Sequence, residues 1–166
     1  LLLVNKVESG GLPLNRENVD LSELLREQIE ATYFKQLEEE QLTLTIEASI
    51  EANIDRMAFH SILINLVDNA LKYGGGSRVA VALVKGANGT VELSVSDRGA
   101  GIPDHEKKKI FERFYRRGSE DVRQTKGTGI GLYLVKMLVE NHGGDVTVED
   151  SKPTGARFVV SLPVAA

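Results

Sequence analysis

The sequence predicts an α/β (α+β) two-layer sandwich, with about three helices packed on one face of a mixed, mostly antiparallel sheet. Three segments have the apolar spacing of amphipathic helices, and five have the alternation or the short apolar runs of strands. The strands of the second half come in pairs with short connections, as β-hairpins do. A chain of 166 residues is long enough for one domain with a buried core.

The helical segments have identifiable starts and stops. The first begins after Asp20, which forms a capping pattern with Glu23, and its apolar stripe extends for about five turns. The second begins after Asp55 and ends where three consecutive glycines break it. The third covers about residues 130–141. His142 follows directly, at a position where the helix dipole favours a cation.

The predicted strands lie at residues 42–46, 79–84, 91–95, 146–148 and 157–162. The Asn88-Gly89 pair predicts a tight hairpin turn between the second and the third of them. A short helix is expected near residues 104–113. Residues 115–126 are polar, charged and without periodicity, so we expect a mobile surface loop there.

The composition excludes several classes of protein. Hydrophobic residues make up 42% and charged residues 27%, and the net charge of −4 gives no basic field for nucleic acid. The absence of cysteine excludes a disulfide framework and a thiolate metal site. No run approaches the roughly 18 apolar residues of a membrane span. The domain is expected to be cytoplasmic, and membrane anchoring of a longer parent is left open.

The chain is expected to be a fragment of a longer protein. It opens with Leu rather than Met, and its first apolar residues have helical spacing: Leu1, Leu2, Val4 and Val7. A Gly-Gly pair then ends this pattern. We therefore interpret residues 1–9 as the end of an upstream helix, residues 10–19 as a linker and residues 20–166 as the main domain.

A narrow polar arc on the second helix offers groups suited to a metal–nucleotide complex. At about 100° per residue, the arc contains Ser61, Asn65, Asp68, Asn69 and Lys72. Neutral amide oxygens from Asn65 and Asn69 suit a hard cation such as hydrated Mg²⁺. Lys72 lies one turn further on, where it can meet a phosphate. A solvated helix face is the alternative explanation for such an arc.

Asp97 ends a predicted strand and leads into Gly99-x-Gly101. Glycines at these positions would let a flat ring approach the backbone closely. The Asp97 carboxylate can accept a hydrogen bond from the exocyclic amine of adenine, whereas guanine carries a carbonyl at that position. A plain Asp-x-Gly turn is the alternative explanation.

Three glycines precede the third helix, at Gly127, Gly129 and Gly131. Backbone amides at such a helix start can take up phosphate charge, although a tight turn is the alternative. The pattern is not the Rossmann fingerprint, because the third glycine position falls on Leu132 and the preceding segment is a loop. The sequence also contains no G-x-x-x-x-G-K-[ST] loop.

Four short segments carry these groups in a fixed order. They are Asn-Leu-Val-Asp-Asn at residues 65–69, Asp-Arg-Gly-Ala-Gly at 97–101, Phe-Glu-Arg-Phe at 111–114 and Gly-Thr-Gly-Ile-Gly-Leu at 127–132. Together they resemble the N, G1, F and G2 boxes of sensor histidine kinases, whose catalytic domain has the Bergerat ATP-binding fold. The resemblance covers nearly the whole chain and implies binding of ATP with Mg²⁺.

The resemblance assigns roles to individual residues. It implies metal binding by Asn69 with Asn65 beside it, and catalytic roles for Asn65, Lys72 and Arg116. It implies that Phe111 and Phe114 anchor the mobile loop as a lid. The predicted ATP-binding residues are Asn65, Asn69, Lys72, Tyr73, Asp97, Gly99, Gly101, Ile102, Phe114, Tyr115, Arg116, Lys126, Gly127, Thr128, Gly129, Ile130, Gly131 and Leu132.

The resemblance also implies a phosphoryl acceptor outside the chain. ATP-hydrolysing relatives of the fold carry Glu where Asn65 stands, and an amide cannot take a proton from water, so transfer is favoured over hydrolysis. None of His60, His105 and His142 stands in an acceptor motif, since Ile110 replaces the proline expected after His105. The implied partners are the parent's own dimerisation domain, which carries the acceptor histidine, and a response regulator receiver domain. The parent is expected to be a homodimer.

Two other functions are compatible with the motifs. A serine kinase of the anti-sigma-factor type shares the fold, but the expected N-terminal helix argues against it. A non-catalytic ATP-binding regulatory module is the second alternative, and the intact set of four segments argues against it.

Overall fold

The computed structural model describes residues 13–115 and 131–164. Its strands are β1 (Glu17–Asp20), β2 (Leu42–Ile46), β3 (Glu51–Ile54), β4 (Val79–Lys85), β5 (Thr90–Ser96), β6 (Asp145–Asp150) and β7 (Ala156–Pro163). Its helices are α1 (Leu21–Thr32), α2 (Phe34–Glu38), α3 (Arg56–Tyr73) and α4 (Gly131–Asn141). Two short 3₁₀ turns, Asp104–Glu106 and Lys109–Phe111, lie between β5 and α4.

In the described part of the chain, five strands form the main sheet in the order β2-β4-β5-β7-β6. β2 and β4 run parallel, and the other neighbouring pairs are antiparallel. The helices cover the face that carries Leu83, Leu93 and Val160, each at most 1% exposed. The opposite face carries small side chains such as Ala82 and Ser94, which are cross-strand neighbours. This architecture confirms the predicted two-layer sandwich with a mixed, mostly antiparallel sheet.

Both predicted helix caps are present. Asp20 Oδ1 accepts a hydrogen bond from the Glu23 amide at 3.0 Å, and Asp55 Oδ1 accepts one from the Ala58 amide at 3.0 Å. Each contact satisfies a backbone donor that the first turn of a helix leaves without a partner. No helix within residues 13–115 and 131–164 is long and apolar enough to cross a membrane.

The first helix is shorter than the predicted five turns. α1 ends at Thr32 because Tyr33 leaves the helical conformation, with φ near −120°. A separate short helix, α2, begins at Phe34. The Tyr33 side chain is buried and continues the apolar stripe of α1, which explains why periodicity alone extends the helix past this break.

A small second sheet is absent from the sequence prediction. β1 and β3 pair antiparallel, with Val19 opposite Ala52. Each strand has four residues, which is too short for a period-two pattern to identify it. β1 lies across the predicted boundary between the linker and the main domain at residues 19 and 20. The division of the chain at that point stays a prediction, and residues 1–12 lie outside the described residues.

The segment predicted as a short helix at 104–113 consists instead of the two 3₁₀ turns. The second turn inserts Phe111 into the core, where its ring meets the Phe158 ring edge-on at 6.1 Å between centroids. Lys107 bridges the first turn to the end of β6, because its ammonium pairs with Asp104 and lies 2.8 Å from Asp150 Oδ1. The expected mobile loop at 115–126 lies outside the described residues except for Tyr115.

The packing of Phe158 predicts a large loss of stability on truncation. Phe158 is 1% exposed and lies on the interior strand β7, where its ring packs against Phe111 of the second 3₁₀ turn. We expect Phe158→Ala to lower the free energy of unfolding by about 3–5 kcal/mol, measured by urea denaturation. Phe34→Ala is the matched control, because Phe34 is 61% exposed. We expect that control to change stability by less than about 0.5 kcal/mol, and equal losses in both variants would contradict the placement of the core.

Candidate functional site

The first asparagine of the polar arc lies against the start of α4. Asn65 Nδ2 donates a hydrogen bond to the Ser61 carbonyl oxygen at 2.7 Å, which fixes the orientation of the amide. A Cβ atom added to Gly131 would lie 2.7 Å from Asn65 Oδ1. Any side chain at residue 131 would therefore displace the Asn65 amide. The structure thus brings the N-box segment and the end of the G2-box segment into direct contact.

The rest of the arc follows on α3 toward its C-terminus. Asn69 is half-buried one turn after Asn65, and Lys72 is exposed. The Lys72 ammonium lies 5.3 Å from the centroid of the half-buried Tyr73 ring. The Lys72 cation therefore lies at the same end of α3 as the ring of Tyr73, another of the predicted ATP-binding residues.

Asp68 of the polar arc accepts a hydrogen bond that the sequence does not predict. The buried Tyr33 hydroxyl donates to Asp68 Oδ1 at 2.6 Å. Burial and the neighbouring Asp68 carboxylate both raise the pKa of Tyr33, so the hydroxyl keeps its proton. Tyr33 reads in the sequence as one more apolar position of α1, and nothing in its spacing indicates a partner on α3.

Asp97 is a buried carboxylate at the end of β5, 4% exposed. Its Oδ1 atom accepts hydrogen bonds from the Gly99 amide at 2.8 Å and the Ala156 amide at 3.3 Å. Its own amide donates to the Ala156 carbonyl oxygen at 2.9 Å. Because backbone donors hold Oδ1, Oδ2 is the oxygen that can accept from a ligand.

Glycines allow the backbone to close around Asp97. A Cβ atom on Gly99 would lie 2.5 Å from the Tyr73 carbonyl oxygen, and one on Gly155 would lie 2.0 Å from the Asp97 carbonyl oxygen. Gly101 adopts a positive φ of 78°, which favours glycine. Sequence reasoning identifies Gly99 and Gly101 but misses Gly155, which reads as an ordinary turn glycine between β6 and β7. Ile102, the next predicted site residue, is buried beside this loop.

The F-box segment divides into a buried and an exposed part. Phe111 is in the core, whereas Phe114 is exposed, with a positive φ of 64° and the Arg113 guanidinium 4.9 Å from its ring centroid. The Tyr115 hydroxyl donates to the Glu106 carboxylate. Of the other predicted residues, Leu132 is half-buried on α4. Those that lie outside the described residues are Arg116, Lys126, Gly127, Thr128, Gly129 and Ile130.

His142 is a neutral histidine, although its position at the end of α4 favours a cation. Its ring is 3% exposed, Nδ1 donates to the Leu138 carbonyl oxygen at 2.8 Å, and Nε2 accepts from the Asp55 amide at 3.1 Å. These partners require a neutral imidazole with its proton on Nδ1. Burial lowers the pKa of His142, and this cost outweighs the helix dipole that favours a cation. His60 and His105 are exposed.

Comparisons with known proteins identify a family whose model spans the elements of this candidate site. The family model described as histidine kinase-, DNA gyrase B- and HSP90-like ATPase matches residues 54–166. This span contains α3, the Asp97 loop and α4. It begins at the last residue of β3, one residue before the cap of α3.

Curated relatives and solved structures extend the match to the rest of the chain. Sensor histidine kinase TmoS of Ectopseudomonas mendocina is 35% identical over 173 residues, which is 100% of this chain and 17% of that protein. Sensor protein SrrB of Staphylococcus aureus is 30% identical over 168 residues, 98% of this chain and 28% of that protein. The crystal structure of full-length ShkA in complex with AMPPNP superposes with a TM-score of 0.79 at 27% identity, covering 99% of this chain and 34% of that one.

The chain therefore spans less than a third of the length of TmoS and of SrrB. Three observations support the same assignment: the matched family model, the strand order of the main sheet and the contact between Asn65 and Gly131. The chain belongs to the family of histidine kinase-, DNA gyrase B- and HSP90-like ATPases.

Proposed function

We propose that this chain binds Mg²⁺-ATP and transfers the γ-phosphoryl group to a histidine on a dimerisation domain, as part of two-component signal transduction. The observation that carries the proposal is the contact between Asn65 and Gly131, which supports a site formed by the polar arc of α3 and the start of α4. Family membership supports ATP as the ligand. The ShkA complex with AMPPNP, an ATP analogue, supports the same choice.

Asp97 would select adenine. Its Oδ1 atom is held by the Gly99 and Ala156 amides, so Oδ2 would accept a hydrogen bond from the exocyclic amine of the base. Because the carboxylate is buried, a mismatched guanine carbonyl at this position would meet a negative charge without solvent between them. Gly99, Gly101 and Ile102 would line the approach of the ring, and Tyr73 would lie against it.

The donor set of the site fits magnesium bound through a nucleotide. Among residues 13–115 and 131–164, no group of three or more His, Cys, Asp or Glu side chains could hold a metal ion. Asn69, with Asn65 beside it, offers amide oxygens instead. Mg²⁺ keeps several waters and binds phosphate oxygens, so one or two neutral protein ligands are sufficient. The metal would supply charge neutralisation to the phosphates.

Positioning and charge would account for most of the catalysis. Phosphoryl transfer requires alignment of acceptor and donor, together with neutralisation of the transferring group. Lys72 would approach the phosphates from the end of α3, and the amides before α4 would approach them from the glycine-rich loop. Arg116 is proposed as the second cation, by resemblance.

Asn65 favours transfer to a protein over hydrolysis. Its amide is fixed by Ser61 and Gly131, and an amide cannot remove a proton from water. The acceptor would lie outside this chain, because His60 and His105 are not in acceptor motifs and both ring nitrogens of His142 are engaged.

The proposed partners are a dimerisation domain of the same parent protein and a receiver domain. Residues 1–9 would be the end of the dimerisation helix, residues 10–19 a linker and residues 20–166 the catalytic domain of a homodimeric sensor kinase. A response regulator receiver domain would then take the phosphoryl group from the histidine. This domain would be cytoplasmic. The much longer chains of TmoS and SrrB support a parent with further domains.

Exchange of the adenine reader should weaken ATP binding. In Asp97→Asn, the amide oxygen can still accept from Gly99 and Ala156, so the NH₂ group would face the amine of adenine, donor against donor. We expect a loss of at least about tenfold in ATP affinity, or about 1.4 kcal/mol, by isothermal titration calorimetry.

The matched control is Asp145→Asn, an exposed carboxylate at the start of β6, which should bind ATP like the parent sequence. The parent sequence should also bind GTP at least about tenfold more weakly than ATP. Equal affinity for ATP and GTP would contradict the role of Asp97 in the recognition of adenine.

Removal of the proposed metal ligand should reduce the gain in ATP affinity that Mg²⁺ provides. Asn69→Ala removes the amide oxygen that would bind Mg²⁺, so adding Mg²⁺ should improve ATP affinity less in the variant than in the parent sequence. Calorimetric titrations with Mg²⁺ and with EDTA measure this difference. Asn18→Ala on β1 is the control and should keep the full benefit. An unchanged magnesium effect in Asn69→Ala would contradict the assignment.

Phosphoryl transfer should require the parent's dimerisation domain. With γ-labelled ATP, this chain alone should not label itself, whereas addition of that domain should produce acid-labile label on its histidine.

Two variants should slow this transfer. Gly131→Ala should slow transfer by displacing the Asn65 amide, and Arg116→Ala should slow transfer more than it weakens ATP binding. Acid-labile label on the isolated chain that disappears in His105→Ala would contradict the proposal. Acid-stable label on a serine would favour the serine-kinase alternative.

A further inference from the structure

A hydrogen-bonded junction lies at the ends of α3 and α4 that are remote from the nucleotide site. The Asp55 amide donates to His142 Nε2 at 3.1 Å, and the Asn15 amide donates to Asp55 Oδ2 at 2.9 Å. The Arg16 guanidinium donates to the Asn141 carbonyl oxygen. We call these five residues the His142 junction. Three segments distant in the sequence meet there: residues 15–16, the cap of α3 and the end of α4.

The junction and the nucleotide site hold the same two helices. α3 begins one residue after Asp55 and carries Asn65 about 15 Å further along its axis. α4 begins at Gly131, against Asn65, and ends at Asn141, beside His142. The two helices therefore contact each other at two places: through the Asn65 amide, near the middle of α3 and the start of α4, and through the His142 ring, at the start of α3 and the end of α4. A change in packing at one of these places can be transmitted to the other because helices are stiff.

The same junction fastens the chain where it enters the domain. Asn15 and Arg16 each bond to it, and the next residue, Glu17, pairs with Arg56 in the first turn of α3. Residues 15–17 thus contact both helices where the chain enters β1.

We propose that His142 is a positioning residue that couples residues 15–17 to the two helices of the nucleotide site, and that protonation of its ring uncouples them. Coupling to nucleotide rests on the proposed ATP site, whereas the junction itself does not. Nucleotide binding and protonation of one histidine would then act on the same pair of helices.

The chemistry of the ring explains the uncoupling. Protonation places a hydrogen on Nε2, which then faces the Asp55 N–H, so two donors oppose each other and their hydrogen bond is lost. The Nδ1 bond to Leu138 is compatible with both forms. The charged groups that act on the ring are Arg16, which disfavours the cation, and the Asp55 carboxylate, which favours it. Burial is the largest effect and also disfavours the cation.

The environment of His142 determines how its contribution to stability changes with pH. The pKa of His142 is lowered below the ordinary value of 6.5. The neutral junction is complete above that value, where both the folded and the unfolded chain carry an uncharged ring. As the pH falls below 6.5, the unfolded chain takes up the proton first, so the contribution of His142 to stability declines toward the lowered folded pKa.

Because coupling between two sites is reciprocal, bound nucleotide must also affect the protonation of His142. If protonation opens the junction and loosens α3 and α4, it weakens nucleotide binding by some factor. Nucleotide must then disfavour protonation by the same factor, which means that it lowers the pKa of His142 further. A histidine that only fills space in the core would show no such response.

The test uses amide exchange and ring titration followed by NMR from about pH 8 to about pH 5. Protection of the Asp55 and Asn15 amides, corrected for the intrinsic pH dependence of exchange, should fall as the His142 ring titrates. In His142→Gln, an acceptor that does not titrate replaces Nε2, so protection should stay constant with pH. In His142→Phe, which keeps a ring without an acceptor, protection should be lower by about tenfold or more at every pH. His60→Gln, a change at an exposed histidine on α3, should behave like the parent sequence.

The same titration with Mg²⁺-ADP should show a lower pKa for His142 than the titration without it. Constant protection of the Asp55 amide through the His142 titration would overturn the junction as a switch. An unchanged pKa in the presence of bound ADP would overturn the coupling to nucleotide. Failure of ADP to bind at all would instead contradict the proposed function, and the exchange of the Asp55 and Asn15 amides would still decide whether the junction opens.

Discussion

The geometry of the site depends on the contact between the Asn65 amide and the backbone of Gly131. Asn65 is carried by α3, whose opposite side is anchored in the core by Leu63, Leu66 and Val67, all fully buried. Because that side cannot rotate without exposing apolar surface, the polar arc has a fixed direction. Gly131 lets α4 approach this arc without a side chain between them. One helix–helix contact therefore aligns two motifs that lie more than sixty residues apart in the chain.

Asp97 extends the same arrangement to the sheet. Its carboxylate is positioned by backbone amides on both sides, from Gly99 in its own loop and from Ala156 at the start of β7. The loop reaches α3 at the Tyr73 carbonyl oxygen, where the absence of a Gly99 side chain permits contact. A buried negative group is costly unless donors are aimed at it, so the two amides are a condition for placing Asp97 there. The site is thus assembled from α3, α4 and the main sheet together.

Features defined by local chemistry could be predicted from the sequence, and features defined by tertiary contacts could not. The Asp55 cap and the glycines after Tyr73 gave the bounds of α3, and Asn88-Gly89 gave the β4–β5 turn, where both residues have positive φ. β1 and β3 were missed because four-residue strands carry too little pattern. The neutral form of His142 could not be predicted, because the helix dipole is a local signal, whereas the burial of the ring and the Asp55 amide are not. Gly155 and the bond from Tyr33 to Asp68 were missed for the same reason.

The central claim is that nucleotide binds where the polar arc of α3, the Asp97 loop and the start of α4 meet. The most direct measurement is a ¹H–¹⁵N NMR titration of this chain with a Mg²⁺-bound, non-hydrolysable ATP analogue. The account predicts shifts concentrated at the Asn65 side-chain amide and at the backbone amides of Gly99 and Gly131. The backbone amides of Ala82 and Ser94, whose side chains lie on the opposite face of the sheet, should not respond. Shifts confined to that face, or no shifts at saturating analogue, would contradict it.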